Sequence, residues 1–136
     1  MPLRLEIVTP GAKTFSEDVD MVTMPGADGE LGILPLHAPL MTQLKPGSLR
    51  VMRGGQETLL AIGEGFAEVL PDRVSVLTDM AVAESDIDES EVEKALARAE
   101  AARNDKSLGS EESAAVEASI ANSLAQLHLK RRRRNI

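Results

Sequence analysis

MAVAESDIDESEVEKALARAE, residues 80 to 100, is where the chain changes grammar. Upstream, residues 1 to 83 hold all seven prolines and nine of the ten glycines; downstream, residues 84 to 136 hold only Gly109 and no proline. Ten alanines fall between Ala95 and Ala125. Turn residues therefore punctuate the first part and helix formers fill the second. Within the quoted run, Asp88 is placed to cap a helix, with Glu91 at the third helical position as in a capping box. Val92, Ala95, Leu96 and Ala99 follow at helical spacing. The pattern stops at Asn104-Asp105, and Gly109 lies in the connection. Ser110 is expected to cap a second helix, with Glu111 and Glu112 in its first turn and Val116, Ile120, Leu124 and Leu127 as its apolar stripe. Lys130 and the run Arg131, Arg132, Arg133, Arg134 close that helix, where cations suit the dipole. So short a connection makes the two helices antiparallel neighbours, and the alanines let them approach closely.

The first part reads as strands. Leu3, Leu5 and Ile7 point one way and Arg4 and Glu6 the other. Val19, Met21 and Thr23 are expected to share a face opposite Asp18, Asp20 and Val22. Further runs are Leu40 to Leu44, Ser48 to Met52, Glu57 to Ile62, Phe66 to Leu70 and Val74 to Thr78. Gly54-Gly55 joins two of them as a hairpin, and Pro71-Asp72 joins two more. Many short strands with closely spaced turns predict a sandwich or flattened barrel. The expected organisation is α+β: a β domain over 1–83, then a helical segment over 84–136.

Composition excludes several classes. The net charge is −7, which makes a poor general binder of nucleic acid or anionic membrane. Aromatics are 1% of the chain, Phe15 and Phe66 alone, too few for base-stacking platforms. There is no cysteine, which removes disulfides and thiolate chemistry and suits a reducing compartment. The two histidines, His37 and His128, cannot build a metal site alone. No stretch approaches 18 apolar residues, and the start MPLRLEIVTP lacks the apolar core of a signal peptide, so a cytoplasmic protein beginning near Met1 is expected. The charge is also segregated: residues 84–129 carry −7 and residues 130–136 carry +5.

No catalytic motif of the G-x-S-x-G or H-E-x-x-H type is present. Gly63-Glu64-Gly65 resembles a fragment of a phosphate loop, but no Lys-Ser or Lys-Thr follows, and a bulge or the start of a strand explains it better. Glu17-Asp18 and Glu111-Glu112 read as solvated charges, and His128 as a surface histidine. The arginine run is open to three readings: nucleic-acid patch, solubilising helix end, or electrostatic latch for an acidic protein surface. The composition ranks nucleic acid last. One segment concentrates rigid residues: Gly29-Glu30-Leu31-Gly32-Ile33-Leu34-Pro35-Leu36-His37-Ala38-Pro39-Leu40. It is either a Gly/Pro corner between layers or an interaction loop.

This segment, followed by Leu44-Lys45-Pro46-Gly47, closely resembles the signature of the ε subunit of bacterial and chloroplast F-type ATP synthases. Gly65-Phe66-Ala67-Glu68-Val69 with Val74-Ser75-Val76-Leu77-Thr78-Asp79, the opening Ile7-Val8-Thr9-Pro10, and Ile87-Asp88 leading into two helices match the same family in order. The resemblance implies an antiparallel β-sandwich of about ten short strands followed by an antiparallel two-helix hairpin. It implies a non-catalytic rotor subunit of the central stalk, with no cofactor and no metal. The sandwich would bind the γ subunit and rest on the ring of c subunits through Glu30, Leu31 and His37, framed by Gly29, Gly32, Pro35 and Pro39. The helices would restrain ATP hydrolysis by extending towards the α and β subunits, with Lys130 and Arg131 to Arg134 as the basic tip. Nucleic acid is not an expected partner. The expected place is the cytoplasmic face of the bacterial inner membrane, held there through the complex.

Two departures are informative. Family loops usually carry glycine where this chain has Leu36. Nucleotide-binding relatives carry Ile/Leu-Asp-x-x-Arg-Ala at the first helix; here Ile87 and Asp88 match, but Glu91 and Val92 replace the Arg and Ala. A carboxylate in place of a guanidinium reverses the interaction with phosphate, so ATP sensing in its usual form is not expected. Two rival classes stand beside this reading: a free-standing sandwich that binds a small ligand, and a small carboxylate hydrolase, for which no residue pair is nominated.

Overall fold

The structure, a computed structural model, describes residues 2–134; the side chains of residues 13, 14, 133 and 134 lie outside that description. Ten strands come first: β1 (Leu3–Thr9), β2 (Ala12–Val19), β3 (Met21–Gly26), β4 (Gly29–Ile33), β5 (Leu40–Leu44), β6 (Gly47–Arg53), β7 (Gln56–Ile62), β8 (Gly65–Leu70), β9 (Arg73–Thr78) and β10 (Ala81–Ala83). A 3₁₀ turn, Glu84–Asp86, leads into α1 (Glu89–Arg103) and α2 (Ser110–Arg134).

The strands form one sheet in the order β10-β7-β6-β3-β5-β8-β9-β1-β2, with β4 paired to β3 off that path. The sheet curls so that its two halves face each other. Leu3, Leu5 and Ile7 of β1 are fully buried, as their alternation predicts, and meet Val69, Val74 and Val76. The opposite layer gives Val22, Met24, Ile33, Leu49, Leu60 and Ile62 to the same core. Phe15 packs against this core from its edge, and aliphatic side chains fill the space between the layers. All ladders are antiparallel except β1 with β9, which run parallel and set the first strand beside the ninth.

Turn chemistry sets the registers. Gly54 and Gly55 both have positive φ, 57° and 78°, which the two-residue hairpin between β6 and β7 requires. Gly63 and Glu64 connect β7 to β8, and Gly65 starts β8, where any side chain on it would strike the carbonyl of Leu77. The alternation expected through Val19, Met21 and Thr23 is corrected. The chain bends at Asp20, whose N–H donates to Met52 O at 2.8 Å and whose carboxylate accepts from Gly54 N at 2.8 Å. The bend advances the phase by one residue, so Val22 and Met24 enter the core and Met21 is half-buried on the outer face.

Asp88 caps α1, accepting from Glu91 N at 3.2 Å. The Glu91 side chain turns to Lys94, 3.5 Å away. Asp105 folds the connection by accepting from the N–H and the hydroxyl of Ser107 at 2.9 and 2.6 Å, which holds its carboxyl below the usual range. Arg103 clamps Glu117 with two bonds of 2.8 and 3.0 Å, tying the end of α1 to α2; that bonding raises the guanidinium pKa. Ser110 is the first residue of α2 rather than its cap, and Gly109 supplies the carbonyl that receives Ser113 N at 2.9 Å.

Candidate functional site

Two regions carry the residues singled out from sequence: the β4 edge with its following loop, and the face where the hairpin lies on the sheet. Gly29, Glu30, Leu31 and Gly32 were expected in a loop; they form β4, paired through Val22–Ile33, Thr23–Gly32, Met24–Leu31 and Pro25–Glu30. Only Leu34 to Pro39 is loop. Pro35 is half-buried and Pro39 exposed, and Leu36 N donates to Pro71 O at 2.7 Å, fastening the loop to the β8–β9 turn. Leu36 has φ 69°, the one positive φ at a non-glycine among the described residues. The corner therefore has the left-handed backbone that glycine serves best, and leucine adopts it at a steric cost.

The structure does not join Glu30 to His37; no hydrogen bond links them among the described residues. The His37 Nδ1 lies 2.6 Å from Ala38 O, so that nitrogen carries the proton and Nε2 faces away from the bond. Leu31 is half-buried and Glu30 exposed. Glu30 instead shares a cleft of about 560 Å³ with Pro25, Lys45, Pro46, Leu124, His128 and Arg132. Its walls are the outer face of the sheet and α2, so the exposed histidine of the second helix belongs beside the β4 carboxylate.

The hairpin rests on the outer face of β7 and β6 through α2. Ala61 is wholly buried there, with Ile87 and Leu129; Leu59, Met80, Val82 and Val92 pack around them. Sequence reasoning missed Leu129, which is only 1% exposed, and chose Leu124, which is 51% exposed. The expected stripe is corrected to Ile120, Ser123 and Leu127 on one side and Ala125 and Leu129 on another. The extra face exists because α2 is packed by α1 and by the sheet together.

The basic tip is engaged within the chain. Lys130 Nζ donates to Glu84 O at 3.2 Å and lies 3.6 Å from the Glu84 carboxylate. Arg131 lies 3.4 Å from Glu89 and 2.8 Å from Glu93. Arg132 lines the cleft, and the side chains of Arg133 and Arg134 lie outside the described residues. Ile87 and Asp88, the surviving part of the nucleotide motif, have structural duties: one packs under Leu129 and the other caps α1.

The far side of the sandwich presents apolar side chains to solvent. Registers Gln43–Phe66, Phe66–Leu77 and Val8–Leu77 put Phe66, Leu77 and Val8 on one outer row, and Met41 stands in the next. Phe66 is 55% exposed, Leu77 53% and Met41 67%.

Residues 2–84 match the family profile of the ATP synthase delta/epsilon chain β-sandwich domain. The ATP synthase epsilon chain of Herpetosiphon aurantiacus is 42% identical over 135 residues, 99% of this chain and 98% of that protein. That of Dehalococcoides mccartyi is 44% identical over 97% of this chain and 94% of its own length. That of Desulforamulus reducens reaches 52% over 76% of this chain and 78% of its own. Among solved structures, a chain in the OSCP/F1/c-ring part of the Euglena gracilis mitochondrial ATP synthase is similar, with TM-score 0.68, 28% identity, and coverage of 88% of this chain and 76% of that one. A chain in the central stalk/c-ring of the Tetrahymena thermophila enzyme shares the fold, with TM-score 0.57, 14% identity, and coverage of 96% and 97%. On its sandwich, its hairpin and its near full-length kinship, this chain belongs to the ATP synthase epsilon-chain family.

Proposed function

We propose that the protein is a non-catalytic rotor subunit of an F-type ATP synthase, joining c-ring rotation to the catalytic head and restraining ATP hydrolysis through its helices. In this reading the sandwich stands on the ring through Glu30, Leu31 and His37. It lies at the cytoplasmic face of the bacterial inner membrane, held there by the complex; no helix among the described residues is long and apolar enough to cross a membrane. The observation that carries the reading is the exposed apolar face of Phe66, Leu77 and Met41. Large apolar groups on a sheet face opposite the hairpin are the mark of a protein partner, and the γ subunit is the partner proposed. The hairpin is the movable element. Its grip on the sheet is one small apolar cluster, helped by Lys130 on Glu84 of the 3₁₀ turn, weak enough for a two-position switch. Extended, its basic tip would meet acidic surfaces of the α and β subunits. Phe66→Asp with Leu77→Asp should abolish co-purification with γ while the sandwich keeps its melting temperature, because both side chains lie outside the core. Retained stoichiometric γ binding by that double variant would refute the assignment of this face.

A further inference from the structure

β7 presents smaller and smaller residues to α2. Its outward positions are Leu59, half-buried, then Ala61, fully buried; the next in phase, just past the strand, is Gly63, also buried. Gly63 is not among the glycines with positive φ, so its backbone suits any residue. What demands glycine is space: a Cβ there would strike the Asp79 carboxylate and would lie 2.6 Å from Asn122 Oδ1. Asn122 arrives with α2. It stands roughly two turns before Leu129 and so shares the helix face that packs on Ala61. Asp79 belongs to the turn between β9 and β10, which is tied to the turn between β7 and β8. Gly63 N donates to Met80 O at 2.9 Å, Asp79 N to Glu64 O at 3.3 Å, and the Thr78 hydroxyl to Glu64 O at 3.1 Å. The carboxylate is therefore held by two cross-tied turns, and the amide is brought to it only when the hairpin docks. Asp79 forms no ion pair among the described residues.

We propose that Asn122 and Asp79 form a polar pin over Gly63 that fixes the register of the docked hairpin. The inference deepens the reading of the hairpin as the movable element and rests on it. An asparagine amide presents oxygen or nitrogen by a half-turn about χ2, and against a carboxylate the NH2 group is the half that bonds. The cluster of Ala61, Ile87 and Leu129 supplies adhesion without direction, since apolar contact is roughly proportional to area and tolerates sliding. One polar pair beside such a seam selects a single register, because any other leaves amide and carboxylate covered and unmatched. The charges of the tip cannot do this. Arg131 pairs with Glu89 and Glu93 inside the hairpin, and Lys130 reaches the 3₁₀ turn rather than a strand. The run Gly63-Glu64-Gly65 thus has a use other than phosphate binding: Gly65 admits the Leu77 carbonyl, and Gly63 admits the pin.

The test uses the full-length chain, which holds no cysteine, with spin labels at Gln56→Cys on β7 and Ser113→Cys on α2, both exposed positions. Pulsed electron resonance then reads the distance from sheet to hairpin. The parent should give one narrow distance. Asn122→Ala and Asp79→Ala should each raise the fraction outside that distance roughly 3- to 10-fold, and the double variant should go no further than either, because the two side chains share one contact. Gly63→Ala should match the double variant, since its methyl group takes the space of both side-chain ends. Unchanged exchange protection in β8 and β9 is the control for folding. Effects of Asn122→Ala and Asp79→Ala that multiply independently overturn the pin, and so does a Gly63→Ala chain that keeps the parent distance. Leu129→Ala separates the two readings. If it displaces the hairpin while Asn122→Ala and Asp79→Ala leave the parent distance intact, the pin is wrong and the movable hairpin stands; if no variant displaces it, both readings fail.

Discussion

Leu129→Ala should release the hairpin more effectively than loss of any charge at the tip. Leu129 is 1% exposed and sits with Ile87 and Ala61 beneath Val92 and Met80. Truncating a leucine so enclosed costs about 2–5 kcal/mol, of which the lower end applies here because a small cluster at a sheet surface can close over the gap. About 2.7 kcal/mol is roughly 100-fold in the ratio of docked to released hairpin. Lys130 and Glu84 have side chains 31% and 24% exposed at 3.6 Å, and Arg131, 48% exposed, pairs only with Glu89 and Glu93 of α1, inside the hairpin. Pairs this wet contribute about 0–1 kcal/mol, at most roughly 5-fold. The apolar contact therefore decides the docked state, and the ion pairs trim it. Amide hydrogen exchange in the carboxyl-terminal half of α2, measured on the assembled complex, reads the released population directly. Leu129→Ala should accelerate exchange there at every ionic strength, whereas Lys130→Ala should do so slightly and only at low salt. Since release frees the tip to reach the head, Leu129→Ala should also lower ATP hydrolysis, and replacing Lys130 and Arg131 to Arg134 with alanine should raise it at low salt. If Leu129→Ala leaves α2 fully protected while Lys130→Ala exposes it, the docking is electrostatic and the reasoning is refuted.

Leu36→Gly removes a left-handed leucine strained by about 1–2 kcal/mol and returns about 0.5–1 kcal/mol to the unfolded chain as entropy, so the net stabilisation is about 0.5–1 kcal/mol. The side chain is 67% exposed and takes little packing with it; thermal melts should rise by about 2–4 °C for glycine and not rise for Leu36→Ala, which keeps the strain. The carboxyl of Asp105 is held low by Ser107, so the connection it folds between α1 and α2 gains stability that is complete above the ordinary aspartate range and fades as pH falls through the depressed folded value. Asp105→Ala should erase that acid-side slope in the pH dependence of melting, and an unchanged slope would assign it to other carboxylates.

What the sequence made legible was local, and what it hid was long-range. The strand period of Leu3, Leu5 and Ile7, the Gly54-Gly55 hairpin and the Asp88 cap each depend on a few adjacent residues, and the structure has all three. The run Thr58-Leu59-Leu60-Ala61-Ile62 is apolar on both faces, so alternation could not tell which side of β7 was core and which side awaited a helix. Leu129 sits among His128, Lys130 and the arginines, where charge dominates any periodic signal; only the sheet beneath makes it an anchor. Asp20 resets the phase of β3 through bonds to Met52 and Gly54, residues far along the chain. The same limit governs the site. Glu30 and His37 are grouped by the family resemblance; in the structure no hydrogen bond joins them among the described residues, and Glu30 shares its cleft with His128 and Arg132 from the opposite end of the chain. A contact assembled across that separation exists only while α2 is docked, whereas one built from β4 and its loop would persist in any hairpin position.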